Sequence, residues 1–260
     1  MVNDDYYMEE IHRQLMYYGE YKSSDQSDEM HSHKMVSICF HQYETNRYLK
    51  DFRVKYKLDR FISSDETSTV ENILRWTYEV LLHNGLVCYT FSYENSMGII
   101  EKAKKENITP NCYCHAYVLR DALNSIGIQA RIIYCLPINC SYYGNHVVTE
   151  YYSEQFKKWI LIDPTYCVCI CGTENEKLNL VEFRNAIVKS ENVTVICRNR
   201  FHQISKEEAY NGEITQEYLK MIIPLLVVIQ YENGPSHSIS EYRLIPANYL
   251  LPSSTMGEDG

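Results

Sequence analysis

Residues 110–131 read PNCYCHAYVLRDALNSIGIQAR, and this stretch decides the fold of the chain. Apolar side chains recur along it at helical spacing, and Gly127 follows them as a stop signal: Ala116, Leu119, Leu123 and Ile126. The stretch predicts an amphipathic helix that begins at Cys112. Unpaired backbone N–H groups and the macrodipole at a helix N-terminus favour negative charge, so this position favours a thiolate.

Two later segments supply an imidazole and a carboxylate. The run His146-Val147-Val148-Thr149-Glu150-Tyr151 predicts a strand, and the run that begins at Trp159 predicts another, which ends at Asp163-Pro164-Thr165. A thiolate nucleophile, an imidazole base and a carboxylate that orients the base are the parts of acyl-transfer chemistry. Cys112, His146 and Asp163 are therefore the predicted catalytic residues, on condition that folding brings the carboxylate beside the imidazole.

Helices precede and follow these strands. Three strands are predicted after the Cys112 helix, at 128–135, 146–152 and 158–162, and the short polar link 153–157 predicts an antiparallel hairpin. Helices are predicted near 8–18, 46–57, 68–81, 96–106, 179–188 and 205–219, and further strands at 225–231 and 242–245. This order predicts an α+β fold, in which the nucleophile helix packs on a mostly antiparallel sheet. We expect an N-terminal helical extension (1–60), a catalytic domain (61–252) and a flexible tail (253–260).

Composition restricts the partners and the compartment. The chain has 260 residues and a formal net charge of −9, which argues against non-specific binding to nucleic acid or anionic membranes. The longest strongly apolar run, 221–229, is interrupted by Pro224, is far shorter than the roughly 20 residues of a membrane span, and predicts a buried strand. The first residues lack the apolar core of a secretory signal, so a cytoplasmic protein with reduced thiols is expected. The sequence does not indicate the oligomeric state.

The motifs together resemble the transglutaminase-like superfamily, a branch of the papain-like cysteine enzymes. In that family a cysteine opens a helix, an alanine and a Gly-Ile-x-Ala-Arg segment follow, a strand carries His-x-x-x-Glu, and a strand that begins with Trp ends in Asp-Pro-Thr. The matching residues are Cys112, Ala116, 127–131, His146 with Glu150, and Trp159 with 163–165.

The resemblance implies a Cys112–His146–Asp163 triad that acts through a thioester on a peptide, a protein or a small amide or ester. It implies no cofactor and no metal, and it leaves hydrolysis and amine transfer open. A catalytically inactive binding module for peptide or glycan is the alternative. It rests on two departures from the family pattern, Pro110 before the cysteine and Val147-Val148 after the histidine.

Several neighbouring residues have competing interpretations. Cys114 is a rival nucleophile, but it breaks the spacing to Ala116. His115 is expected to pack beside the site, and Glu150 is expected to support the strand or an arginine such as Arg131. The alternating cysteines Cys167, Cys169 and Cys171 could bind zinc or another soft metal. The side-chain donor of an oxyanion hole is left open among Tyr89, Tyr93 and Asn95.

Overall fold

The computed structural model describes Arg13 and residues 46–82, 87–88, 95–137, 144–198, 207–232 and 242–244. The predicted helix near 8–18, apart from Arg13, the expected helix stop at 83–85 and the tail 253–260 lie outside these residues.

Three helices precede the cysteine helix: α1 (Arg47–Tyr56), α2 (Glu66–Leu81) and α3 (Ser96–Glu106). The predicted bounds of α1 and α3 are confirmed, with Asn46 and Asn95 as their N-caps. The predicted start of α2 at residue 68 is wrong, because α2 begins at Glu66. The Asp65 carboxylate accepts a hydrogen bond from the Ser68 backbone N–H at 2.7 Å, so Ser68 is the capped residue.

The predicted cysteine helix is confirmed as α4 (Cys112–Ser125), and Gly127 follows it with a left-handed φ of 92°. Two short strands, β1 (Val87–Cys88) and β2 (Thr109–Pro110), pair in parallel just before it. Pro110 is thus buried in β2, where it pairs with Cys88. This pair was not predicted, since a two-residue strand has no hydrophobic period.

A large antiparallel sheet follows α4, in the spatial order β7-β6-β5-β4-β3-β8-β9. Its strands are β3 (Ala130–Leu136), β4 (His146–Ser153), β5 (Lys158–Asp163), β6 (Val168–Cys171), β7 (Thr194–Cys197), β8 (Val228–Glu232) and β9 (Tyr242–Leu244). The predicted α+β class and the β4–β5 hairpin are confirmed. The sequence analysis missed β6 and β7, which have only four residues each.

The sheet is covered by helices on both faces. Helices α1 to α4 pack on one face, in a core that includes Phe52, Trp76, Leu119 and Val147. Helices α5 (Leu180–Val188) and α6 (Glu207–Ile222) belong to the other face, in a core that includes Phe183 and Val148. Neighbouring residues of β4 therefore enter opposite cores, as strand alternation requires. Phe52 shares a core with Trp76, so α1 packs with the helix α2 that follows it, although the expected division at residue 60 stays a prediction.

The prediction of a strand across 221–229 is wrong in its first half. Helix α6 continues to Ile222, a 3₁₀ turn spans Ile223–Leu225 with Pro224 near its start, and β8 begins only at Val228. Proline fits the first turn of a helix because its missing N–H would have no partner there. Among the residues that the structure describes, no helix is long and apolar enough to cross a bilayer.

Candidate active site

Cys112 is the first residue of α4, and its side chain is half-buried. The N-cap residue Asn111 accepts a hydrogen bond from the Cys114 backbone N–H at 3.1 Å, which fixes the helix start at this position. The rival thiol of Cys114 is only 1% exposed and belongs to the hydrophobic core. Of these two cysteines, Cys112 is the one that a substrate can approach.

The β4–β5 hairpin brings His146 and Asp163 together. Its register pairs Thr149 with Ile162, which places the start of β4 beside the end of β5. The His146 Nε2 lies 2.6 Å from the Asp163 Oδ2, and both side chains are buried. The Cys112 side chain is close enough to the His146 ring to raise the pKa of that ring. The structure therefore brings the three residues singled out from the sequence close together.

The surroundings of His146 and Asp163 favour the charged form of both side chains. Burial lowers the pKa of His146, but the Asp163 carboxylate and the Cys112 side chain outweigh it and raise that pKa to about 10. Burial raises the pKa of Asp163, but the charge of His146 and three donated hydrogen bonds outweigh it, so that pKa lies below its usual value. The imidazole is therefore held as an imidazolium beside the sulfur.

The other two donors to Asp163 are Tyr218 and Thr165. The Tyr218 hydroxyl donates to Oδ2 at 3.0 Å, and the Thr165 backbone N–H donates to Oδ1 at 2.8 Å. Tyr218 belongs to α6 and is 4% exposed. Its ring packs edge-on against Tyr166, whose ring centroid also lies 5.7 Å from that of His146. The sequence analysis missed Tyr218, because nothing in the sequence distinguishes it from the other apolar positions of its helix.

His115 lies one helical turn after Cys112 and is 1% exposed. Its Nδ1 lies 3.3 Å from the backbone oxygen of Pro164, the residue after Asp163. Its Nε2 has no hydrogen-bond partner among the described residues. Burial lowers the pKa of His115 to about 4. The ring is thus neutral near pH 7, and it packs beside the site as the sequence analysis expected.

The expected partner of Glu150 is confirmed. The Glu150 Oε2 lies 2.7 Å from an Arg131 nitrogen, and its Oε1 accepts a hydrogen bond from the Leu180 backbone N–H at 2.7 Å. The Arg131 guanidinium lies over the rings of Trp159 and Tyr231, 3.9 and 4.3 Å from their centroids. These contacts tie four strands, β3, β4, β5 and β8, to one another and to α5, which is a structural role.

An extended backbone through Cys167, Cys169 and Cys171 would place all three side chains on one side of a strand. The structure does not have this arrangement. Cys167 precedes β6 and has a left-handed φ of 56°, so only Cys169 and Cys171 lie on that strand. All three are buried, and burial raises the pKa of each thiol. Within the described parts of the chain, no group of three His, Cys, Asp or Glu side chains is placed to hold a metal.

Of the three residues considered as oxyanion-hole donors, the structure describes Asn95. The Asn95 side chain caps α3 by accepting from the Gly98 backbone N–H at 3.0 Å, while Tyr89 and Tyr93 lie outside the described residues.

The two valines after His146 are fully buried, one in each core. This unusual dipeptide is therefore explained by packing.

One family of known proteins matches part of the chain. Residues 57–164 match the family model of the transglutaminase-like superfamily. No curated protein sequence matches the chain significantly.

Three solved structures are similar over parts of the chain. A candidate cysteine protease from Cytophaga hutchinsonii is 19% identical, with a TM-score of 0.33 over 58% of this chain and 50% of that one. The Rad4-Rad23 structure bound to a 6-4 photoproduct UV lesion is 11% identical, with a TM-score of 0.30 over 74% and 53%. Red sea bream transglutaminase is 13% identical, with a TM-score of 0.31 over 77% and 46%. The chain thus spans about half the length of each. The family match thus covers 108 of the 260 residues, and over that region the chain is similar to the core of the transglutaminase-like superfamily.

Proposed function

We propose that this protein is a cysteine enzyme that transfers or hydrolyses the acyl group of an amide or ester through a thioester on Cys112. One observation carries the proposal. A half-buried thiol at the start of α4 is close enough to the His146 ring to raise its pKa, and the His146 Nε2 lies 2.6 Å from the Asp163 Oδ2. Nucleophile, base and orienting carboxylate are the parts that this chemistry needs.

In the first half-reaction the Cys112 thiolate attacks the carbonyl carbon of the substrate and forms a carbon–sulfur bond. The tetrahedral intermediate then collapses, the carbon–nitrogen or carbon–oxygen bond breaks, and the His146 imidazolium gives its proton to the leaving amine or alcohol. The products are a thioester, a neutral imidazole and the free leaving group. The buried Asp163 carboxylate stabilises the imidazolium and orients its ring.

In the second half-reaction water or an amine attacks the thioester, and His146 accepts the proton that the nucleophile loses. The sulfur leaves as a thiolate, and the imidazolium–thiolate pair is restored. Interaction with Cys112 contributes to the raised pKa of His146. Acylation removes that contribution, so the pKa of His146 falls between the two half-reactions. The residue is thus an acid before acyl transfer and a base after it.

The catalytic interpretation has better support than the binding-module alternative. The alternative rested partly on the valines after His146, and both of these pack in the hydrophobic cores. A binding module also has no need to hold an imidazolium beside a half-buried thiol. We expect the substrate to be a peptide, a protein or a small amide or ester. A reducing compartment such as the cytoplasm would keep the Cys112 thiol free for this chemistry.

Alkylation identifies the reactive thiol before any substrate is known. We expect sub-stoichiometric iodoacetamide at pH 7, followed by peptide mass spectrometry, to modify Cys112 first. The matched control is Cys114→Ala, which removes the neighbouring buried thiol and should leave the labelling rate unchanged. His146→Ala should lower the rate at Cys112 at least about tenfold. Labelling that avoids Cys112, or that proceeds equally fast without His146, would reject the proposed chemistry.

A panel of peptide amides and activated esters then tests acyl transfer. The intact mass should rise by the mass of the acyl group in the native protein, remain unchanged in Cys112→Ala, and return to its starting value after neutral hydroxylamine, which cleaves thioesters. Competition between water and an added primary amine distinguishes hydrolysis from amine transfer. If reactive donors leave no adduct on an alkylation-competent Cys112, the protein has a reactive thiol without this activity.

A further inference from the structure

We propose that His115 is a positioning residue, which holds the Asp163 carboxylate in place through the peptide group between Pro164 and Thr165. The inference rests on the proposed function, since it concerns the carboxylate that orients His146. Nothing in the family match or in the sequence pattern assigns a role to His115.

The connection runs through a single planar peptide group. The carbonyl oxygen of Pro164 lies 3.3 Å from the His115 Nδ1. The N–H of the same peptide group belongs to Thr165 and donates to the Asp163 Oδ1 at 2.8 Å. A peptide group is rigid, so fixing its oxygen also fixes the direction of its N–H. The His115 ring therefore determines where that N–H points.

The protonation of His115 suits this role. A carbonyl oxygen can only accept, so the Nδ1 carries the proton and donates it to Pro164. Since burial lowers the pKa of His115, the ring is neutral near pH 7 and places no second positive charge near His146. The chain of donors thus ends on the carboxylate: imidazole N–H to carbonyl, then peptide N–H to the Asp163 Oδ1. Consecutive hydrogen bonds of this kind strengthen one another.

The position of His115 on α4 links the nucleophile to the carboxylate. His115 follows Cys112 by three residues on the same helix, while Pro164 follows Asp163 directly. The hydrogen bond therefore joins the helix that carries the thiol to the turn after β5. The other Asp163 oxygen is already held by His146 and Tyr218. Without His115, the Pro164 oxygen would lose this hydrogen bond, and the direction of the Thr165 N–H that donates to Oδ1 would be less fixed.

Two polar variants test whether the position of the hydrogen-bond donor at residue 115 matters, because both keep an amide N–H. Asparagine at 115 places its amide nitrogen where the imidazole Nδ1 lies, whereas glutamine carries its amide nitrogen one bond further out. We expect His115→Gln to lower the rate constant for Cys112 alkylation by about tenfold, because small misplacements of catalytic groups have effects of this size or larger. His115→Asn should stay within roughly threefold of the native rate.

A spectroscopic readout distinguishes positioning from general loss of structure. The proton in the 2.6 Å bond between His146 and Asp163 should resonate at very low field in the proton NMR spectrum. We expect that signal to persist in His115→Asn, and to move upfield or disappear in His115→Gln while the thermal midpoint shows that the variant is folded. If His115→Gln does not fold, His115→Leu, which has no donor, replaces it in both measurements.

Equal alkylation rates and equal low-field signals in the native protein and both polar variants would overturn the role of His115. Equal losses in both polar variants would overturn it as well, because the donor position would then not matter. Either result can occur while Cys112 labelling still depends on His146. The role of His115 can therefore fail without the failure of the proposed function, and the His146→Ala control shows which has failed.

Discussion

Removing the Tyr218 hydroxyl should destabilise the folded state only through the loss of its hydrogen bond to Asp163. Tyr218→Phe keeps the ring and its edge-on packing against Tyr166, so the hydrophobic contribution is unchanged. What is lost is a 3.0 Å hydrogen bond to a fully buried carboxylate. Hydrogen bonds to charged groups contribute about 1.5–3 kcal/mol. Because Oδ2 keeps its bond from His146, the lower end applies, and we expect a loss of about 1.5 kcal/mol in the free energy of unfolding at pH 7.

The assay is urea unfolding followed by tryptophan fluorescence, with the midpoint compared at a constant m value. A double-mutant cycle of Tyr218→Phe with Asp163→Ala should give a coupling energy of similar size, about 1.5 kcal/mol. Tyr56→Phe is the matched control, because the buried Tyr56 hydroxyl has no hydrogen-bond partner among the described residues. That substitution should leave stability unchanged or slightly raised.

The reasoning is refuted if Tyr218→Phe costs no more than Tyr56→Phe, or if the coupling energy to Asp163 is below about 0.5 kcal/mol. In either case the phenol would not be a stabilising donor to the carboxylate. The two arms are independent, because the first compares two tyrosines and the second tests the specific pair.

Three further outcomes follow from buried charges. Arg131→Met leaves the Glu150 carboxylate buried without its cation, so the free energy of unfolding measured in urea should fall by about 3–5 kcal/mol. Adding Glu150→Gln should restore part of that loss. If stability does not recover, the pairing is contradicted. Because the pKa of His146 is raised to about 10, its stabilising charge is fully present below pH 6.5 and is lost as the pH rises through about 10. Asp163→Asn should flatten that decline in unfolding experiments across this range, and an unchanged slope would contradict it. His115 has the opposite effect on the pH dependence of stability, because its pKa is lowered to about 4. Native stability should therefore fall as the pH drops from 6.5 to about 4. His115→Asn, which does not titrate, should fall less over the same interval, and an equal fall would show that another group is responsible.

Local patterns were sufficient to predict the residues of the proposed triad and the elements that carry them. The α4 helix follows from an apolar stripe that ends at Gly127, and the β4–β5 hairpin follows from alternation around a short polar link. These features depend on residues close together in sequence. The same locality explains the error at α2, where Asp65 and Ser68 are both good caps, and only the observed bond decides between them.

The supporting contacts of the site depend on residues distant in sequence, and no local pattern encodes them. Tyr218 reaches Asp163 from a helix whose sequence predicts only an apolar face, and His115 reaches Pro164 across the gap between α4 and β5. The pairing of β3 with β8 is of the same kind. Strands β6 and β7 escaped prediction because their four residues are too few to show a period.

The pairing of β3 with β8 has a consequence for synthesis on the ribosome. The residues of the proposed triad and their family match end by residue 164, whereas β8 and Tyr218 are translated much later. Until they emerge, the nascent chain has β3 as an open sheet edge, a template for aggregation that invites chaperone binding. The nascent chain would also contain Cys112, His146 and Asp163 before it contains Tyr218, whose hydroxyl donates to the Asp163 carboxylate. Full reactivity should therefore arise only after α6 and β8 have left the ribosome.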